Sequence, residues 1–172
     1  MKYAVALAGS FLVAILATSV MPYVKVLGVA PDLVLIFAVC WAMIRGQGEA
    51  MIVVPMAGLL RDLTTSDPVG TSMLALSPIV LLAVIRDLRP VESDFLPTLV
   101  VVATASLAYA VVSLTVLTAI GYDVPWGTAM LHVALPSMLV NPLFTVLIYS
   151  PMRWLTTRPK RESFGVGSAV QL

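Results

Sequence analysis

The sequence predicts an all-α integral membrane protein, a compact bundle of about six transmembrane helices. Composition is the first reason: 60% of the 172 residues are hydrophobic and 11% are charged, roughly half the charge of an ordinary soluble domain. Mean hydropathy is +1.02. Apolar residues also collect into six stretches, at Tyr3–Met21, Pro31–Ile44, Ala50–Leu60, Thr71–Ile85, Phe95–Ile120 and Thr128–Tyr149. Lysine and arginine, finally, fall mostly in alternate gaps between those stretches. One set of gaps holds Lys2, Arg45, Arg86, Arg89, Arg153, Arg158, Lys160 and Arg161; the other holds Lys25 and Arg61. Basic residues mark the cytoplasmic side, so both termini are expected in the cytoplasm.

The first stretch is long enough to span a bilayer. Its opening, Lys2 before an apolar run and then Ala17-Thr18-Ser19, resembles a secretory signal, but the run is longer than a typical signal core and no clean cleavage site follows. The second and third stretches are short. Two readings compete: tilted or partly buried spans, or a re-entrant hairpin with Arg45-Gly46-Gln47-Gly48 at its tip. Full spans are favoured, because Arg45 at mid-membrane would cost roughly 2.5–3.5 kcal/mol without a partner. Pro31 is expected in the first turn of the second helix, with Asp32 beside it at the positive end of the helix dipole. Gly46 and Gly48 form the turn that closes it.

Asp67-Pro68-Val69-Gly70 reads as a turn into the fourth stretch. The fifth stretch spans outright, and Tyr122 to Gly127 forms another turn with Trp126 as an interface anchor. Pro55, Pro78, Pro136 and Pro142 lie inside apolar stretches and predict kinks. Residues 1–155 form the transmembrane domain, and 156–172 a basic, Gly/Ser-containing cytoplasmic tail. The loop Arg86 to Asp94 has mixed charge and no phosphate-binding glycine motif.

Few residues carry chemistry. Cys40 lies within an apolar stretch and reads as a buried thiol. His132 has no neighbouring ligands for a metal and no partners for acid–base work. Arg61 and Asp62 end the third stretch; ionisable groups at that depth are functional candidates, against the plainer reading of a pair snorkelling to the headgroups. Being neighbours on a helix, the two point about 100° apart and need not pair. Asp62 is a candidate acceptor for backbone N–H groups of the turn before Pro68. Asn141, before Pro142 at mid-span, is expected to hydrogen-bond to another helix.

With these residues in view, the chain resembles MreD, the membrane component of the bacterial rod-shape and cell-wall elongation machinery. The resemblance rests on Pro31-Asp32-Leu33 and the Arg45-Gly46 turn; on Gly58-Leu59-Leu60-Arg61-Asp62 followed by Pro68-Val69-Gly70; and on Asn141-Pro142-Leu143 with a basic exit from Tyr149 to Arg153. It covers about residues 1–158. Arg61 beside the aspartate departs from the family pattern. The resemblance implies a fold similar to the substrate-binding subunit of energy-coupling-factor vitamin transporters. It implies as partners an MreC-like single-span protein, a SEDS-type glycosyltransferase with its transpeptidase, and the actin-like MreB filament. It implies no catalytic residue and no cofactor.

The expected function is therefore a non-enzymatic scaffold in the bacterial inner membrane, surrounded by membrane lipid and without a nucleic-acid partner. Pro31, Asp32, Gly58, Arg61, Asp62, Pro68, Gly70, Asn141 and Pro142 are its structural or partner-contact candidates. Small residues such as Gly9, Ser10, Ala14, Ala17, Ala103, Ala105, Ser106, Ala110 and Ser113 are candidate partner faces. The alternative is a vitamin-type binding subunit of an energy-coupling-factor transporter. Against it, Arg61, Asp62, Asp67, Asp123 and His132 supply few polar groups on the outer side.

Overall fold

The computed structural model describes residues 2–66, 68–84 and 95–156. Asp67, the loop Arg86 to Asp94 and the tail from Arg158 lie outside the described residues. Helices account for nearly all of the rest. They are α1 (Lys2–Ser19), α2 (Leu33–Arg45), α3 (Gln47–Thr64), α4 (Thr71–Leu76), α5 (Pro78–Leu82), α6 (Phe95–Ala119), α7 (Trp126–Ala129) and α8 (Leu135–Thr156). A π-helical segment, Met130–Ala134, joins α7 to α8. The long elements alternate in direction, so α1, α3 and α6 end where α2, α4 and α7 begin. That end is called distal below.

Helix α2 is the centre of the bundle. Leu33 to Met43 are all buried, on every face of the helix. It packs against α1, α3, α5, α6 and α8. A helix apolar all round is stable only when enclosed, and in a bilayer this one sits among other helices. Its 13 residues reach about 20 Å, less than the roughly 30 Å hydrocarbon core. Cys40 is buried within it.

Three segments are long and apolar enough to cross a membrane: Ala4–Tyr23, Phe95–Ala119 and Trp126–Trp154. Their outward faces carry large exposed hydrophobics, including Phe11, Leu12, Val100, Leu139 and Leu147. Helix α2 and the segment Thr71–Leu82 are shorter apolar elements. This is a membrane protein.

Several local expectations change. Pro31 does not enter the second helix. Asp32 is its N-cap, accepting the Leu35 N–H at 3.0 Å, so Pro31 lies one residue before the cap. The sharp turn to α3 is made by Gly46 alone, at φ 88°; Gly48 is already in the first turn of α3. The fourth stretch is two short helices broken at Ser77, because Pro78 has no N–H to continue the ladder. Pro55 and Pro142 stay inside continuous helices. Pro136 follows the π segment, whose wider turn lies where the proline ring meets the His132 carbonyl.

Part of each small-residue face is turned into the bundle. Ser10 and Ala14 of α1, and Ala105 and Ser106 of α6, are buried inside the bundle. At Gly9 an added Cβ would stand 3.1 Å from the Phe37 ring. Close internal packing explains why Gly9 is small, while Ala17, Ala103, Ala110 and Ser113 keep part of their surface open.

Candidate functional site

The distal end gathers nearly every polar residue singled out in the sequence, and it does so through two adjacent junctions. The first joins α3 to α4. Gly58 lets the backbones touch: a Cβ there would lie 2.6 Å from Met73 Cα and 2.9 Å from the Ser72 carbonyl oxygen. One turn further on, Asp62 is 2% exposed. Its carboxylate accepts the Gly70 N–H at 2.7 Å and the Ser72 N–H at 3.0 Å. These are among the first free N–H groups of α4, so Asp62 caps that helix from a neighbouring one. A carboxylate there also meets the positive end of the helix dipole. Gly70 adopts φ +99°, a left-handed conformation open to glycine at little cost. The expected role of Asp62 as a backbone acceptor thus falls on residues after Pro68, not on the turn before it.

The second junction joins α2, α3, α6 and α8. Arg61 does not snorkel outward. Its guanidinium pairs with the Asp32 carboxylate and lies 4.8 Å from the centre of the Tyr109 ring. The Tyr109 hydroxyl is 3.3 Å from Ser72 Oγ, which links the two junctions. From α8, the Asn141 side chain accepts the Asp32 N–H at 2.9 Å and donates to Ser106 Oγ at 2.9 Å. Ser106 in turn donates to the Val102 carbonyl at 2.8 Å. Asn141 is 1% exposed, and in a dry interior each of these bonds counts for more than it would in water. Arg61 and Asp32 keep 22% and 16% of their side-chain surface open.

That open surface faces a cavity of about 430 Å³. Its walls come from the distal half of α1, the start of α2, the end of α3, α6 and the π segment. Polar groups come from Asp32, Arg61, Ser106, Tyr109, Asn141 and several further serines and threonines; most of the rest is alanine, valine, leucine and methionine.

Other candidates lie elsewhere. His132 is exposed, its Nδ1 3.2 Å from the Thr128 carbonyl oxygen. Asp123 is exposed in the turn before α7. Trp126 begins α7 and donates from Nε1 to Thr118 Oγ1 at 3.1 Å. Pro68 and Pro142 are half-buried, in the turn before α4 and within α8. Arg45 pairs with Glu49 at 3.0 Å at the opposite end of the bundle. Among the described residues, no three His, Cys, Asp or Glu side chains come together as a metal site requires.

Sequence reading missed Ser72, Tyr109 and the network role of Ser106. Tyr109 and Ser106 sit three residues apart on one face of α6, and that spacing was the available signal, blurred by the other serines and threonines of the same helix.

A family model for the rod shape-determining protein MreD matches residues 2–158. The chain belongs to the MreD family. That match spans all eight helices, so both distal junctions are part of the MreD-like domain. Membership ties the chain to rod-shape determination and to the shape-determining complex. MreD is a structural membrane family and not a known enzyme family. No curated protein and no solved structure matches the chain in the corresponding searches.

Proposed function

We propose that this protein is a non-enzymatic scaffold of the cell-wall elongation complex, a six-pass inner-membrane protein with both termini in the cytoplasm. It binds an MreC-like single-span partner and works beside a SEDS-type glycosyltransferase, its transpeptidase and the actin-like MreB filament. In this reading it connects peptidoglycan synthesis outside to the filament inside. The observation that carries the reading is the family match over residues 2–158.

The distal geometry supports it. Asp62, Asn141 and the Asp32–Arg61 pair are each bonded across helices. Ionisable groups at membrane depth are costly, and here they are used to hold helices together. Since Ser10, Ala14, Ala105 and Ser106 are enclosed by the bundle, a partner span would pack on the exposed apolar surfaces. In lipid that contact depends on shape fit and hydrogen bonds more than on the hydrophobic effect.

The cavity favours a second reading, a small-molecule-binding subunit similar to those of energy-coupling-factor transporters. One experiment separates the two. The tagged protein is captured from its native membrane in mild detergent, and co-purified proteins and extracted small molecules are identified by mass spectrometry. Recovery of a single-span coiled-coil protein with cell-wall synthases supports the scaffold. Recovery of ATPase subunits with a stoichiometric water-soluble ligand overturns it.

A further inference from the structure

The distal cavity is left over when the helices have finished packing. Helix α1 packs mainly on α2 and α3, while α6 packs on α8, α4 and α2. Between α1 and the α6–π wall the facing residues are small, Ala14 and Ala17 on one side and Ala110, Ala129 and Ala134 on the other. Short side chains usually let helices approach; here they leave about 430 Å³ open, within the roughly 300–1,000 Å³ of small-molecule sites. The cavity reaches the apolar surface of the bundle at Val133, which lines it and is 54% exposed.

The chemistry of the walls narrows the occupant. Among the described lining residues Asp32 and Arg61 are the charged ones and they pair with each other, so a ligand bringing a net charge would bury it beside an already matched pair. Hydrogen-bonding capacity is nevertheless left. The Asn141 carboxamide has one further N–H and one further lone pair beyond its bonds to Ser106 and Asp32. The Asp32 carboxylate accepts from Leu35 and Arg61 and has lone pairs to spare. Beyond these groups the lining mixes apolar side chains with the hydroxyls of Thr18, Ser113 and Ser137, and most of the exposed wall surface is apolar.

We propose that this cavity holds one uncharged amphiphile drawn from the membrane. Its apolar chain lies along Ala14, Ala17, Ala110 and Val133. Its hydroxyl or carbonyl group meets Asn141 and the Asp32–Arg61 pair. The site requires only that the bundle be embedded in a bilayer and does not depend on the scaffold reading.

The test uses the full chain in phosphatidylcholine nanodiscs with a monoacylglycerol carrying a diazirine in its chain. After photolysis, labelled peptides are mapped by mass spectrometry. Label concentrates at residues 14–21, 110–114 and 129–137, and excess unlabelled monoacylglycerol removes it. The fatty-acid anion of the same chain competes at least roughly tenfold less well. Ala110→Phe, which fills the cavity without removing any polar side chain, lowers labelling there by a similar factor and leaves labelling of the outer face of α8 unchanged. Label spread evenly over the lipid-facing helices, or a better-competing anion, overturns the proposal. Competition on the unmodified chain decides the matter even if the variant fails to fold. The readout involves neither partners nor cell shape, so it fails or succeeds separately from the scaffold.

Discussion

Two places at the distal end use the same residue types to opposite effect. At the α3–α4 junction, Gly58 brings backbones into contact and Asp62 seals the start of α4. Between α1 and the α6–π wall, alanines face one another across open space. The difference lies in what fixes the separation. A two-point carboxylate cap pulls α4 onto α3, whereas α1 packs mainly on α2 and α3. A stripe of small residues permits close approach; a directional bond is needed to bring it about.

The largest effect tests the closed junction. Gly58→Ala places a methyl 2.6 Å from Met73 Cα, where no flexible side chain can yield. It should cost about 3 kcal/mol by overpacking, read as a lower thermal midpoint in detergent and reduced membrane abundance. Wild-type stability would show that the helices part freely and that the junction is not tight.

Next comes the cap. Asp62→Ala strands two N–H groups at the start of α4, and a loss of about 2 kcal/mol is expected. Asp62→Asn, which keeps one acceptor oxygen, should recover part of it. Equal losses in the two variants would mean that the carboxylate acts by charge alone. In the cell, Asp62→Ala with unchanged membrane abundance and unchanged shape would remove the α3–α4 turn from the account.

The ion pair gives a smaller effect. Asp32→Ala removes the carboxylate that pairs with Arg61, but the cavity gives that charge some open surface. The expected loss is about 1.5–2 kcal/mol, below the roughly 3–5 kcal/mol of a sealed pair. A double-mutant cycle with Arg61→Ala should return a coupling of about 1 kcal/mol. Zero coupling would make the two residues independent.

The smallest effect tests the open junction. Ala110→Leu faces the cavity, and stability should change by no more than about 0.5 kcal/mol. A loss as large as that of Gly58→Ala would show that the alanines are close-packed after all, and the comparison would collapse.

The sequence carried the fold further than the site. Apolar runs separated by glycine, proline and charge give the helices, because each helix must shield its own backbone in lipid. The break at Ser77 was foreshadowed by Pro78, but α2 as a wholly enclosed centre was not, since a short apolar run looks alike as a span or a buried helix. Of the site, Asp32, Gly58, Asp62, Gly70 and Asn141 stood out individually. Their grouping did not. Asn141 and Asp32 are 109 positions apart, and nothing local in either segment names the other. Arg61, odd beside its aspartate in sequence, makes sense only once Asp32 and Tyr109 are brought to it. The facing alanines were legible as small and illegible as empty, because what they face is set by the bundle.

Everything distal, in the scaffold reading, lies on the far side of the membrane from the termini. Cysteine accessibility in intact cells tests this most directly. The native Cys40 is buried and silent, so single cysteines can be added at exposed positions of both ends. Tyr23→Cys and Val69→Cys report the distal end, and Gly48→Cys reports the opposite end. The account predicts that a membrane-impermeant maleimide labels the first two in intact cells and Gly48→Cys only after permeabilisation. Labelling of Gly48→Cys in intact cells, with Tyr23→Cys and Val69→Cys protected, would contradict it and place both junctions on the cytoplasmic side.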